Sequence, residues 1–290
     1  MVVVTKKDHV INAVVYLILA IVVIISIYPV WYITVASFSS SDAVSTGKVV
    51  FWVKDFSLEA YKNVINTKNI WISYGNTVFY SVFGTLVNMI LTVLGAYALS
   101  KKWLKGRRFF TIFIMVSMWF SPGMMASYIN YRDLGMINNR WAILLIGAVS
   151  TYNVILMRSF FESIPDAMEE SALIDGATDF KILFKIYLPL SKAALMTISL
   201  YYFVGHWNSY FWPMVLLQDE TKIPLQVVLK KLVVQMNGMY SEKANMDYTV
   251  VSRETVVYAT MVIAVAPMLF IYPFVQKFFV KGVMLGAVKG

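Results

Sequence analysis

The chain has 290 residues, 59% of them hydrophobic and 14% charged, with a mean hydropathy of +0.67; soluble domains carry about 25% charged residues, so this composition excludes a soluble globular protein and describes one that lives in a bilayer. Cysteine is absent and histidine occurs only at His9 and His206, which excludes a zinc constellation, a Cys–His nucleophile and a disulfide framework. The formal net charge of +9 comes from Lys and Arg scattered over loops on both sides of the expected membrane, with no groove that interleaves them with aromatics, so it points to anionic headgroups and snorkelling side chains and not to nucleic acid.

Six stretches free of Asp, Glu, Lys and Arg lie at 10–41, 69–100, 109–131, 141–157, 193–218 and 255–276. Each can hold a helix of about 20 residues, the length that crosses roughly 30 Å of hydrocarbon, with the fourth at the short end. The expected fold class is an all-α polytopic membrane protein with six transmembrane helices. The first stretch follows Lys6 and Lys7, but its run is too long for a signal-peptide core of about 7–15 residues and lacks a small-residue cleavage pattern, so it is read as helix one. Residues 42–68 then hold an extended-looking run at 49–53 and a polar stretch after Tyr61. After the second stretch come Lys101, Lys102, Lys105, Arg107 and Arg108. With the N-terminus inside, this cluster falls in one short cytoplasmic connection and fixes the orientation, placing both termini in the cytoplasm.

Between the fourth and fifth stretches lies a soluble-looking helix–glycine–helix segment at 162–192. Ser163 and Pro165 signal a helix start, Asp166, Glu169 and Glu170 put negative charge near the positive end of its dipole, and Gly176 supplies a left-handed stop. A second helix capped by Thr178 or Asp179 carries Phe180, Leu183, Phe184 and Tyr187 on one face, with Lys181 and Lys185 off it, and Pro189 limits its length. Read from residues alone, this hairpin either lies on the lipid surface or docks a partner. The fifth stretch carries His206, Trp207, Asn208, Tyr210 and Trp212, with Pro213 unable to donate to the carbonyl of Ser209. The outside segment 219–254 holds a helix-like stretch at 224–235 and a polar tip at 237–247; like 42–68, it is either a passive connection or a partner contact. No G-x-x-x-x-G-K-[ST] and no G-x-S-x-G occurs, so the chain lacks a phosphate cradle and a serine elbow, and any ATP must be bound by another chain.

The string Glu170-Ser171-Ala172-Leu173-Ile174-Asp175-Gly176-Ala177, followed by Phe184, Ile186, Leu188 and Pro189, resembles the EAA loop of ABC importer permeases, E-A-A-x-x-D-G-A with a later F-x-I-x-L-P, Ser171 being the departure. Ala96-Tyr97-Ala98-Leu99-Ser100-Lys101, Leu134-Gly135-Met136-Ile137-Asn138-Asn139 and Trp207-Asn208-Ser209-Tyr210-Phe211-Trp212-Pro213 are similar to the carbohydrate-importing branch. The tail from Gln276 to Gly290 resembles that of MalG-type and LplC/YtcP-type oligosaccharide permeases, whereas 120–128 departs from the relatives' usual Gly-Gly and Pro pattern, which marks the outer end of helix three as differently shaped.

The resemblance implies a MetI-like type I permease fold. The N-terminal tail, first helix and extracytoplasmic segment would occupy 1–68, the permease core with its coupling loop 69–276, and a cytoplasmic tail 277–290. It implies a multi-pass protein of the bacterial inner membrane, a permease subunit of an ATP-driven, binding-protein-dependent oligosaccharide importer, and not an enzyme. Its partners would be a second, different permease subunit, two cytoplasmic ABC ATPases carrying the ATP and Mg, and an extracytoplasmic solute-binding protein, lipoprotein or periplasmic. This chain would bind no cofactor. The coupling residues carried over are Glu170, Ala172, Asp175, Gly176, Ala177, Phe184, Leu188 and Pro189; Glu170 would meet a basic residue of the ATPase, and Phe184 with Leu188 would anchor the loop against the membrane helices.

In the tail, Lys281, Gly286, Lys289 and Gly290 would contact the ATPase dimer, their glycines favouring a close-fitting extended segment over a helix, with a frayed terminus as the other reading. His206, Trp207, Asn208, Tyr210 and Trp212 suit a sugar path, since indole and phenol stack on C–H faces and amides meet hydroxyls; they equally suit an interfacial belt or packing against the partner. An importer of another solute, such as a peptide, amino acid or anion, stays open. An ion-coupled carrier is disfavoured because the six stretches contain no Asp or Glu.

Overall fold

Apolar runs without charge become helices here because a chain in lipid must satisfy its backbone within the segment. The structure, a computed structural model, describes the backbone of residues 6–236 and 250–287 and the side chains of 11–234 and 253–273. In chain order the helices are α1 (Lys6–Ser37), the short α2 (Ser41–Ser45) and α3 (Glu59–Asn66), then α4 (Lys68–Ser100). They continue with α5 (Arg107–Val116), α6 (Gly123–Asp133), α7 (Arg140–Leu145) and α8 (Thr151–Glu162). A hairpin follows, made of α9 (Asp166–Ile174), α10 (Asp179–Ile182), a π-helical turn (Leu183–Tyr187) and α11 (Leu188–Leu190). The chain then runs through α12 (Lys192–Trp207), α13 (Phe211–Leu216), α14 (Leu225–Met236) and α15 (Val250–Ala287).

Three of the six apolar stretches lie in unbroken helices long and apolar enough to span a bilayer, within α1, α4 and α15. The other three are not single helices, and each interruption has a local cause. The third breaks at 117–122, where Pro122 lacks an N–H and Gly123 adopts φ +75°, within the 120–128 segment that departs from the family pattern. The fourth breaks at Gly147, φ +68°, and Ser150 restarts the chain as the N-cap of α8, its hydroxyl accepting from the Asn153 N–H at 3.4 Å. The fifth ends at Trp207 and resumes at Phe211, so Pro213 sits in the first turn of α13, where its missing N–H costs nothing.

The 134–139 motif is likewise a stop and a start. Gly135 at φ +68° closes α6 with hydrogen bonds from Gly135 N–H to Arg132 O and from Met136 N–H to Tyr131 O, both 2.9 Å, and Asn139 caps α7 by accepting from Trp141 N–H at 3.0 Å.

Two compact units group the chain, Met1–Ile70 with Leu229–Ala266, and Trp71–Val228 with Pro267–Gly290. In the first unit a small core of Val35, Ala36, Ala43, Val44 and Val49 is flanked by Tyr32 and Tyr258, whose rings meet edge-on at 6.0 Å. The 49–53 run forms no strand; the pairing here is one isolated antiparallel bridge between Ser39 and Phe56, while Phe51 and Trp52 are exposed and the Trp31 Nε1–H donates to Phe51 O at 2.8 Å. None of the apolar window of α1 is buried, as expected of a helix whose neighbours are acyl chains.

The extended tail expected from its glycines is not found: α15 continues to Ala287 through Lys281 and Gly286, because each glycine costs an established helix about 1 kcal/mol and does not stop its propagation. The side chain of Lys281 and the whole of Lys289 and Gly290 lie outside the described residues.

Candidate functional site

The quoted loop is a helix terminator that can be read atom by atom. Helix α9 starts after Pro165 with Asp166 and Glu169 in its first turn, where the helix dipole favours them. It ends on Asp175, and Gly176 at φ +72° turns the chain left-handed. The Gly176 N–H then bonds Leu173 O at 3.0 Å and the Ala177 N–H bonds Ala172 O at 2.9 Å, the paired closure of a Schellman motif. That motif brings the residue after the glycine against the third residue from the helix end. Ala172 and Ala177 occupy those two places and both pack on the core below, which explains small apolar residues at both positions.

That core joins Tyr97 of α4, Met157 and Phe161 of α8, Ile198 of α12, and Leu183 and Tyr187 of the π turn. The rings of Tyr97, Phe161 and Tyr187 meet edge-on, the Tyr97–Tyr187 pair at 5.2 Å. The Lys101 Nζ sits 4.1 Å from the centroids of both tyrosines and 2.7 Å from Glu169 Oε2. The Tyr187 hydroxyl donates to the same carboxylate oxygen at 2.6 Å, and burial, followed by this bond, pushes the phenol well above its ordinary pKa, so it keeps its proton. Lys102 pairs with Asp166, and Arg107 with Glu162, which also accepts from Arg158 at 2.8 Å. The basic connection after α4 is thus clamped to α8 and α9.

Around these groups lies a pocket of about 470 Å³ lined by Lys101, Lys102, Arg107, Glu162, Asp166, Glu169 and Glu170 among others. Glu170 is exposed and takes part in none of the ion pairs formed by the other carboxylates there.

The anchoring of the hairpin differs from expectation. Leu188 is half-buried against the core, but Phe184 is 62% exposed and Phe180 is exposed as well; the inward face is formed by Ile182, Leu183, Ile186 and Tyr187. Apolar residues crowd 180–187 closely enough to allow two faces, and the hydrogen bond from Tyr187 to Glu169 selects one. The π turn follows from Pro189. Its ring would clash with the carbonyl of Lys185, and the turn widens so that the Leu188 N–H reaches back five residues to Leu183 O. Pro189 itself is exposed, and beyond it the segment Asp179–Leu190 meets Lys192–Trp207 at 85°.

At the far end of α12 a cavity of about 450 Å³ opens, lined by Tyr80 and Asn88 of α4, Tyr131 of α6, Ser150, Asn153 of α8, Tyr202 and His206 of α12, and Trp212 and Pro213 of α13. Among the described residues, no Asp, Glu, Lys or Arg lines it. Of the five residues proposed for a sugar path, His206 and Trp212 reach this wall. Trp207 is buried instead and packs edge-on against Tyr74 at 5.9 Å, while Asn208 and Tyr210 are exposed in the break between α12 and α13 and do not line the cavity.

Asn88 Nδ2 and His206 Nε2 are 3.2 Å apart, and the Tyr202 hydroxyl lies 2.7 Å from Thr92 Oγ1 while accepting the Ser150 N–H at 3.1 Å. The α4 contribution escaped the sequence reading, although Ser73, Thr77, Ser81, Asn88 and Thr92 recur on one helical face and are buried within an apolar run, a signal available from spacing alone.

A family model described as binding-protein-dependent transport system inner membrane component matches residues 2–285. The chain is 38% identical to the polygalacturonan/rhamnogalacturonan transport system permease protein YtcP of Bacillus subtilis (strain 168), over 98% of its own length and 100% of that protein's. It is 36% identical to protein LplC of the same organism, over 92% and 90% of the two lengths. Among solved structures it is similar to a chain of a bacterial ABC transporter involved in the import of the acidic polysaccharide alginate, with a TM-score of 0.89 and 43% identity over 96% of this chain and all of the other.

Proposed function

This chain belongs to the family of binding-protein-dependent transport system inner membrane components, membrane permease subunits that leave ATP hydrolysis to other chains, and from that premise we propose that it forms one half of the pathway of an oligosaccharide importer. The observation that carries this reading is the covalent continuity of the hairpin, α9 through α11, with α12: the hairpin presents exposed Glu170, Phe180 and Phe184, and the far end of α12 reaches an uncharged polar and aromatic cavity. One of two ATPase subunits would seat on the hairpin, with Glu170 meeting a basic side chain and Phe184 filling an apolar pocket. A second permease would complete the pathway, and a solute-binding protein would deliver the saccharide from outside. The basic cluster from Lys101 to Arg108 supports a cytoplasmic placement of the hairpin and of both termini.

Rigid-body movement of the hairpin on ATPase closure would then alternate access to the cavity. The test is reconstitution of the four-component transporter in vesicles with oligogalacturonide and rhamnogalacturonan fragments, the classes named for the related YtcP system. ATP-driven uptake of either, reduced at least tenfold by Glu170→Lys without loss of assembly, is the expected result. Uptake of neither fragment would overturn the oligosaccharide reading, and wild-type uptake by Glu170→Lys would overturn the role of the loop.

A further inference from the structure

The cavity wall is mostly self-satisfied, and one exception stands out. The Tyr202 hydroxyl is used by Thr92 and the Ser150 N–H, and the Tyr80 hydroxyl donates to Lys222 O at 2.8 Å. Asn88 is 2% exposed and lines the cavity, yet its side-chain carbonyl oxygen has no hydrogen-bond partner. Its amide nitrogen is committed to His206, whose ring lies so close to Gly84 that a Cβ there would stand 2.6 Å from two ring atoms. Gly84 thus lets His206 in, His206 holds the amide nitrogen, and the carbonyl oxygen is what remains. Thr85 and Ser81, one and two turns earlier on the same helix, also carry unpartnered buried hydroxyls, but neither lines the cavity.

We propose that the cavity is a saccharide subsite of this subunit, in which Asn88 Oδ1 accepts a hydrogen bond from a sugar hydroxyl and Trp212 offers an aromatic face to the ring. The inference rests on the oligosaccharide reading above. A buried acceptor left unpaired is destabilising, so a ligand donor that reaches it recovers the lost interaction, and a site built around such a group rejects analogues lacking the matching hydroxyl. Trp212 is itself held by an edge-on contact with Tyr131 at 4.9 Å. Among the described residues the wall carries no Lys or Arg to neutralise a carboxylate, so the chemistry it recognises is the uncharged hydroxyl edge of a pyranose. Its volume, near the lower end of the roughly 300–1,000 Å³ common for small-ligand sites, suits a short segment of a chain.

The test uses the complete reconstituted transporter and two probes of equal length, an oligogalacturonide and a rhamnogalacturonan fragment, each also prepared with a photoactivatable diazirine. In the wild-type complex, light should attach the probe to the peptide containing Asn88 or to that containing His206 and Trp212, and excess unlabelled saccharide should suppress it. Asn88→Leu should lower uptake about tenfold and change the preference between the two saccharides, which a merely structural loss would not do. Label confined to the partner permease overturns the proposal. Uptake and preference equal to wild type in Asn88→Leu overturn it too, as does an equal loss for both saccharides. If the unmodified transporter imports neither saccharide, the oligosaccharide reading falls first and the subsite falls with it.

Discussion

Lys101 and Glu169 form an ion pair of 2.7 Å although the lysine is 3% exposed and the glutamate 15%. One closes the second apolar stretch and the other lies in the first turn of the hairpin, so the pair ties a membrane helix to the element expected to meet the ATPase. Removing one partner of a buried pair leaves the other charge uncompensated, at a cost of about 3–5 kcal/mol. Glu169→Gln and Lys101→Met should each lower the thermal midpoint of the detergent-solubilised complex by several degrees, while the double variant regains part of the loss. Midpoints unchanged in both single variants would show that the pair does not hold the hairpin.

Gly176 needs its left-handed backbone and nothing else, since a Cβ at that position meets no atom within 4 Å. Gly176→Val therefore pays about 1–2 kcal/mol for backbone conformation alone and tilts the docking segment. Gly176→Asn, which tolerates that conformation better, should retain more function. Stimulated ATPase activity in the order wild type, Asn, Val is the expected result; a valine variant as active as wild type contradicts the assignment.

Gly84→Ala drives a methyl group into the His206 ring, and overpacking of this kind costs about 1–3 kcal/mol. The ring cannot move aside without breaking its hydrogen bond to Asn88. The variant should lose thermal stability, and adding His206→Ala should restore part of it. Equal midpoints for Gly84→Ala and wild type would mean that the contact relaxes freely.

Because the chain contains no cysteine, an introduced one is its sole thiol. A cysteine at Lys105 should react with a membrane-impermeant maleimide from the cytoplasmic face, and one at Lys54 from the outer face. The reverse labelling would invert the orientation and remove the hairpin from the ATPase side.

Much of this was legible in the residues, and the remainder was hidden for definite reasons. The left-handed stop at Gly176 was legible because it is local: the two bonds that close it span no more than five residues. The partners of Lys101 were not legible: Glu169 and Tyr187 lie far along the chain, and only the packing of α4 against the hairpin brings them to one ammonium group. Hydropathy found the six apolar stretches but not the breaks at Gly147 and Asn208, where one glycine φ or one early proline decides between a single helix and two. The outward face of Phe184 is not legible either, because six apolar residues within 180–187 satisfy more than one helical stripe. Asn88 is one of the small polar residues spaced along the second stretch, and what singles it out, its bond to His206 at the cavity wall, joins residues 118 apart in the chain.

The 85° corner between Asp179–Leu190 and Lys192–Trp207 makes the two arms a bell crank. A 16-residue arm is about 24 Å long, so a tilt of roughly 10° at its Ser191 pivot carries the Trp207 end through about 4 Å. The other arm is stiffened where Leu183 and Tyr187 lock into the core, so a sideways push on its exposed phenylalanines is not absorbed by bending there. At the cavity, that sweep exceeds the length of a hydrogen bond. A turn of that size about Ser191 would take His206 out of reach of Asn88 and exchange one set of wall contacts for another.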